Sequence, residues 1–200
     1  MHPYLQRLGV LPEVQSFFQP YWLLGHNDLV FSYGNSSEHY GIAFHRIPIT
    51  EELWIAGNQA TARHVFICGS AMDAIAWLHY NLANFNQTDN LLIVSLGASP
   101  CKTQINWINE NLNNKQFHLI FGRDSLGSCC DLKIAAGLRK MPLTITASEQ
   151  RLIVRFRMRD YLFDELSLNA FEKASGYHFN IPAHKPKTAN TYFEQLKHGY

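Results

Sequence analysis

The sequence predicts an α/β fold, in which helices flank a parallel sheet, and two observations support this. Between residues 62 and 141, short apolar segments that favour strands alternate with segments whose apolar residues recur at helical spacing. Residues 91–96 form an apolar run that Ser95 alone interrupts, which is typical of a central parallel strand that is buried on both faces. We therefore expect a core at 61–150, a small α+β segment at 1–60 and an extension at 151–200, packed as one compact unit.

The first segment predicts two short helices followed by strands. Apolar residues at helical spacing between residues 4 and 18 are interrupted by Gly9 and Pro12, so that two helices are expected before Pro20. A Gly-Asn-Ser-Ser-Glu cluster then separates two segments that are rich in β-branched and aromatic residues, which indicates a hairpin. The expected strands are 29–33, 40–46 and 54–56.

The core and the extension continue with alternating elements. Ser99 suits a helix N-cap and Pro100 the first helical position, so a helix is expected to begin there. The other predicted helices are 70–82, 129–139, 166–174 (with Gly176 near its end) and 192–198. The predicted strands are 65–68, 91–96, 117–121, 143–146 as a fourth strand, and 151–159.

Composition narrows the classes of function. With 17 basic and 16 acidic residues the formal net charge is +1, so nucleic-acid binding would have to come from a local patch. The four cysteines form no CxxC pair and the ten histidines show no HExxH spacing, so the sequence predicts no structural zinc site. No signal-peptide pattern and no apolar run near membrane-spanning length is present, and a cytoplasmic protein without a membrane contact is expected.

Two turns are the best candidates for a site, because open α/β sheets bind ligands beyond the carboxyl ends of their strands. The first turn, Gly-Ser-Ala-Met-Asp, begins at Gly69 and contains Asp73. The second turn, Gly-Arg-Asp-Ser-Leu-Gly, begins at Gly122 and contains Asp124. Both turns follow predicted strands and carry a carboxylate, the type of ligand that Mg²⁺ prefers.

These segments carry a resemblance to a known family. The segments ICGSAMDAIAW, LLIVSLGASPCKTQINWI and HLIFGRDSLGSCCDLKIAAGL resemble, in order, the motifs of a Toprim domain. The head (HPYLQRLGV with FSYGNSSEHYGIAFHR) and the tail (AHKPKTANTYFEQL) resemble segments that flank this domain in primase-like proteins of bacterial mobile elements. The resemblance implies a Toprim-like, Rossmann-like sheet and a setting in DNA replication or mobilisation.

The resemblance also implies which catalytic groups are missing. Gly69 stands where the family has a glutamate that acts as general acid/base, and Gly122 where it has the first aspartate of a D-x-D pair. Ala189 replaces an aspartate of the tail, although Asn190 remains. Asp73 and Asp124 are left as metal ligands, so the cofactor is expected to be absent or a weakly bound Mg²⁺.

Both remaining aspartates also fit structural roles. Ser70 and Asp73 follow the capping-box pattern [ST]-x-x-[DE] at a helix start. Asp124 directly follows a strand and could simply form a turn. The sequence leaves both interpretations open for each carboxylate.

A strand with basic residues is the candidate nucleic-acid site. In RLIVRFRMRDY the arginines are predicted to share one face of an extended strand, spaced to contact successive phosphates. The alternative is an edge strand guarded by charge. The candidate residues are Arg151, Arg155, Arg157, Arg159, Lys185 and Lys187.

The sequence thus predicts a degenerate, non-catalytic Toprim-like protein that binds nucleic acid, or replication and mobilisation partners. One alternative is a divergent Mg²⁺-dependent nuclease or nucleotidyltransferase that uses Asp73 and Asp124. The other alternative is a protein-interaction module without nucleic acid. Oligomeric state has no signal in the sequence.

Overall fold

The computed structural model describes residues 1–25, 28–41, 44–148 and 151–199, and it has a mixed α/β architecture. The α-helices are α1 (Pro3–Arg7), α2 (Pro12–Phe18), α3 (Ala71–Asn81), α4 (Lys102–Asn111), α5 (Ser125–Leu138), α6 (Leu168–Ser175) and α7 (Tyr192–Lys197). The strands are β1 (Leu23–Leu24), β2 (Asp28–Tyr33), β3 (Ser36–Gly41), β4 (His45–Arg46), β5 (Trp54–Gly57), β6 (His64–Cys68), β7 (Leu91–Ser95), β8 (Gln116–Leu119), β9 (Leu143–Ser148), β10 (Arg151–Phe156) and β11 (Arg159–Phe163).

The N-terminal segment contains the two predicted helices and the predicted hairpin. β2 and β3 pair in an antiparallel register, with Tyr33 opposite Ser36, so the connecting loop is only Gly34 and Asn35. Gly34 has a φ of +59°, a conformation that glycine adopts without steric cost. The predicted turn at 34–38 is therefore too long, because Ser36 already belongs to β3. The predicted strand 40–46 is wrong as a single strand, because β3 ends at Gly41 and β4 pairs back antiparallel with His45 opposite Tyr40; residues 42 and 43 lie outside the described residues.

The central sheet has four strands in the order β5-β7-β6-β8. β6 is parallel to both β7 and β8, as the alternating pattern predicted, but β5 is antiparallel to β7. The sheet is therefore mixed. The predicted fourth strand at 143–146 is wrong for this sheet, because those residues form β9 in a separate antiparallel sheet of order β11-β10-β9.

The predicted long strand at 151–159 is also wrong. β10 ends at Phe156, and Arg157 and Met158 form a turn with φ values of +49° and +64° before β11 returns antiparallel. Arg155 pairs with Asp160 across the hairpin, and Phe156 pairs with Arg159. The alternation of apolar and basic residues from Val154 to Arg159 thus continues through a turn that the pattern alone could not reveal.

Two helix starts differ from the prediction. α4 begins at Lys102 with Cys101 at the N-cap, where the Gln104 side chain accepts a hydrogen bond from the Cys101 amide (3.0 Å). α5 begins at Ser125, one turn before the predicted start at 129, because Asp124 caps it. The remaining helices agree with the prediction within a few residues.

The two faces of the central sheet pack against different hydrophobic clusters. Phe66 and Ile93 belong to a cluster with α1, α2, α3 and the N-terminal hairpin. Val65, Ile67 and Val94 belong to a second cluster with α4, α5, α6 and the C-terminal sheet. Successive residues of a strand point to opposite faces, so the buried strands β6 and β7 contribute to both clusters.

The last part of the chain, residues 181–199, is called here the C-terminal segment. It runs beside β8, where the Leu119 amide donates to the Pro182 carbonyl (2.9 Å) and the His184 amide donates to the Leu119 carbonyl (2.7 Å). Its helix α7 packs against α3. In the part of the chain that the structure describes, no helix is both long and apolar enough to cross a membrane.

Candidate functional site at the carboxyl edge of the central sheet

The two predicted turns lie at the same end of neighbouring strands. β6 and β8 are adjacent and parallel, so the residues that follow them, 69–73 and 120–124, form one border of the sheet, called here the carboxyl edge. Gly122 and Asp73 both contact the C-terminal segment, through Asn190 and Phe193. The structure therefore brings the predicted site together with residues from the end of the chain.

Asp73 binds the main chain of the C-terminal segment. Its Oδ1 accepts a hydrogen bond from the Phe193 amide (2.8 Å), and burial raises its pKa to about 6. Ser70 is the N-cap of α3, and its Oγ accepts from the Asp73 amide (3.0 Å). The capping interpretation is thus confirmed for Ser70, whereas the Asp73 carboxylate joins α3 to the start of α7.

Asp124 is the N-cap of α5. Its Oδ1 accepts a hydrogen bond from the Gly127 amide (2.7 Å), and the residue is exposed. Asp124 thus has a structural role as a helix cap, where its carboxylate satisfies a free amide and lies at the positive end of the helix dipole.

The two glycines of the carboxyl edge differ in the space around them. A Cβ atom at position 122 would lie 2.8 Å from the carbonyl oxygen of Asn190, which is closer than real Cβ contacts allow. The Arg123 amide donates to the same carbonyl (2.9 Å), so the close contact at Gly122 is part of the joint between the carboxyl edge and the C-terminal segment. At position 69 the nearest atoms would be 3.6 Å away or more, which is ordinary van der Waals contact. An aspartate therefore does not fit at position 122 without moving the C-terminal segment.

Glu38 is a buried carboxylate that the sequence did not single out. Its Oε2 accepts from the Ala71 amide (2.9 Å) and the Tyr33 hydroxyl (2.5 Å), and its Oε1 accepts from the Met72 amide (3.1 Å). Ser95 Oγ lies 2.7 Å from the same hydroxyl. Glu38 thus occupies the N-terminus of α3, where the amide groups and the helix dipole favour an anion.

The environment of Glu38 perturbs its titration. The side chain is fully buried, and this burial raises its pKa to about 7 although its three hydrogen bonds favour the ionised form. The alternation of β3 contains a signal for this position, because Glu38 lies two residues before the buried Tyr40 and therefore on the same face of the strand.

Lys185 is partly exposed and contacts a buried carboxylate at the carboxyl edge. Its Nζ pairs with Asp131 Oδ2 and donates to the Gly122 carbonyl (2.7 Å). Burial raises the pKa of Asp131 to about 6, while the nearby lysine acts in the opposite direction. The ammonium group that was predicted to contact nucleic acid is therefore engaged inside the protein.

Magnesium, which the resemblance implies, is a poor match for the oxygen ligands at this edge. Mg²⁺ prefers carboxylates that leave room for its waters, but Asp73 and Asp124 each bind a main-chain amide. Among the described residues no group of three or more His, Cys, Asp and Glu side chains is arranged to hold a metal ion. At this edge, one carboxylate oxygen of each aspartate is used to join elements of the fold.

The predicted basic residues lie in different environments. Arg155 binds Asp160 through two hydrogen bonds (2.7 and 2.8 Å), and Arg151 binds Asp164 (2.8 Å). The Arg157 guanidinium lies over the ring of Tyr177, 4.6 Å from its centroid. Arg159 and Lys187 are exposed, and neither forms a salt bridge with another described residue. The structure thus leaves Arg157 and Arg159 at the hairpin tip and Lys187 in the C-terminal segment.

Comparison with known proteins gives no match, whether with models of protein families, with curated proteins or with solved structures.

Proposed function

We propose that this chain is a Toprim-like protein that has lost catalysis and acts by binding, in DNA replication or mobilisation. The observation that supports the loss of catalysis best is the joint at the carboxyl edge. Gly122 packs on the Asn190 carbonyl, Asp73 accepts from the Phe193 amide and Glu38 fills the N-terminus of α3. The groups that would hold a metal and a phosphate are replaced by contacts within the chain.

A metal titration tests the loss of catalysis. Calorimetric titration with Mn²⁺ and Mg²⁺ should give no saturable binding at millimolar concentration, and nuclease and primer-synthesis assays should give no turnover. Saturable binding that Asp124→Ala abolishes, together with turnover that the same variant loses, would favour the divergent enzyme.

The tip of the β10–β11 hairpin supports binding to single-stranded nucleic acid. Arg157 and Arg159 flank Met158, whose side chain is 97% exposed. A fully exposed apolar side chain between two basic ones suits contact with unstacked bases and their phosphates. Because Arg151 and Arg155 are paired with aspartates, we assign the contact to the tip alone.

Salt-dependent binding to single-stranded DNA tests this assignment. Arg157→Ala/Arg159→Ala should weaken binding and reduce the slope of log K against log salt by about 1.4, which corresponds to two lost phosphate contacts. The matched control is Arg7→Ala/Arg46→Ala, which changes two exposed arginines elsewhere. No binding at low salt, or equal binding by both variants, would leave the protein-interaction module as the better function.

A further inference from the structure

The two outer strands of the C-terminal sheet differ in how they are protected. β11 carries the charged residues Arg159 and Asp160, which is a common way to prevent pairing with another chain. β9 has the sequence LTITAS, without a charge or a proline, and β-branched residues at three of its six positions. β9 is therefore the unguarded edge of this sheet.

The main chain of β9 has unused hydrogen-bonding groups. β9 pairs with β10 from Leu143 to Ser148, and its other side faces no strand of the sheet. Throughout the described ranges, residues 143–148 form no backbone hydrogen bond outside that ladder. Alternate residues of an outer strand turn their N–H and C=O groups away from the sheet, so β9 can accept one more strand.

A groove of about 810 Å³ lies beside this strand, between β9, α4 and α5. Ile105, Ala136 and Gly137 are among its apolar lining residues, and Leu143 and Ile145 of β9 form one side. A strand that paired with β9 would extend the sheet over α4 and α5, so that its inward side chains would contact these residues. We call this feature the lysine groove, because Lys102, Lys133 and Lys140 also line it.

The charges of the lysine groove favour an acidic occupant. Lys102, Lys133 and Lys140 are exposed, and none has a salt-bridge partner in the part of the chain that the structure describes. Glu110 is the acidic residue among those that line the groove. Pairing of β9 with β9 of a second copy would bring two sets of lysines together, which is unfavourable. A phosphate backbone would match the lysines but would leave the apolar residues and the β9 main chain without partners.

We propose that the lysine groove binds an extended acidic segment of a partner protein, which adds to β9 as a further strand. The main chain of β9 provides hydrogen bonds, the apolar residues receive alternate side chains, and the lysines select acidic residues. This proposal names a partner class for the binding function proposed above. It rests on that function in one respect, namely that the chain acts by binding.

Selection of peptides tests the charge preference. Random peptides of about twelve residues, displayed on phage, are selected on the immobilised full chain, since this length covers a strand and its flanks. We expect enriched peptides to alternate apolar residues with Asp or Glu. Lys102→Glu/Lys133→Glu/Lys140→Glu should weaken their binding at least about 10-fold. The matched control Lys173→Glu/Lys187→Glu/Lys197→Glu changes three exposed lysines outside the groove and should leave the affinity unchanged.

Backbone methylation tests the strand pairing. A bound peptide strand pairs with β9 through every second amide only. N-methylation of the peptide at those amides should abolish binding, whereas N-methylation at the intervening amides should be tolerated. Hydrogen exchange of residues 143–148 should slow in the complex. Alkylation of Cys101, a half-buried thiol that lines the groove, should slow as well, whereas Cys129, which does not line it, should react at the same rate.

Three results would overturn the proposal. The first is that every selected peptide binds the groove triple variant and the control triple variant equally well. The second is that methylation of either set of alternate peptide amides leaves binding unchanged. The third is a single-stranded oligonucleotide that displaces the peptide and whose affinity falls in the groove variant, because the groove would then bind nucleic acid. Failure here leaves the function proposed above testable, because the metal and hairpin experiments keep the groove lysines unchanged.

Discussion

The carboxyl edge and the lysine groove use their polar groups in opposite ways. At the carboxyl edge Glu38, Asp73, Asp131 and Lys185 all bind other parts of the same chain. At the groove, three lysines and the outer side of β9 have no such partner within the described ranges. The carboxyl edge thus uses its polar groups to join parts of the chain, whereas the lysine groove retains polar groups without partners among the described residues.

Removal of Lys185 should break the carboxyl edge most severely. Lys185→Met leaves the buried Asp131 carboxylate without its cation, which should lower the free energy of unfolding by about 3 kcal/mol. Urea unfolding near neutral pH measures the loss, and Lys187→Met is the exposed control with an expected change within about 0.5 kcal/mol. The double variant Lys185→Met/Asp131→Leu should recover part of the stability. Equal stability of the two single variants would show that the ion pair does not hold the edge.

Glu38 should make stability depend on pH. Its pKa is about 7 in the folded protein, raised by burial, against 4.5 ordinarily, so the folded state holds this proton more tightly. The corresponding stability is complete below pH 4.5 and is lost as the pH rises to about 7. The unfolding free energy of the wild type, measured relative to Glu38→Gln, should therefore fall by about 3 kcal/mol across this range. A constant difference between the two proteins would contradict a raised pKa.

The two glycines of the carboxyl edge provide a matched steric comparison. Gly122→Ala places a Cβ 2.8 Å from the Asn190 carbonyl oxygen and should cost about 1–3 kcal/mol of unfolding free energy. Gly69→Ala makes only ordinary contacts and should change it by less than about 1 kcal/mol. Thermal or urea unfolding of both variants measures the difference. Equal costs would show that the C-terminal segment does not close on position 122.

Substitution in the lysine groove should have the smallest effect on folding. Because Lys102, Lys133 and Lys140 are exposed and form no salt bridges with described residues, each change to alanine should alter the unfolding free energy by less than about 0.5 kcal/mol. Urea unfolding of the three single variants checks this. A loss as large as that of Lys185→Met would mean that the groove, too, is part of the joint.

Local patterns predicted much of the secondary structure. The apolar run of β7 and the serine cap of α3 appear where the sequence placed them, because each depends on neighbouring residues alone. Strand partners were harder to predict. The sequence predicts both β5 and β9 as short strands, yet β5 joins the central sheet and β9 a different one. The turn at Arg157 and Met158 was missed because both residues have positive φ values without the glycine or asparagine that usually indicates them.

In the candidate site, too, local features were predicted from the sequence and contacts between distant residues were not. The sequence located both turns of the carboxyl edge and the absence of carboxylates at positions 69 and 122. It did not reveal Glu38 or the Lys185–Asp131 pair, because each joins residues that are far apart in the chain. The histidines are another example, because three that are far apart in the sequence lie close together in the structure. His64, His118 and His184 lie in a row, with nitrogen separations of 3.1 and 3.2 Å, and burial lowers the pKa of His118 to about 4.

The sequence by itself determined most of the helical and extended segments, the two turns and the glycines at positions 69 and 122. Only the tertiary structure decided that the C-terminal segment closes the carboxyl edge and that β9 is left with an open side. The physical reason is that propensities and caps act over a few residues, whereas burial and hydrogen bonding between distant segments depend on how the whole chain packs.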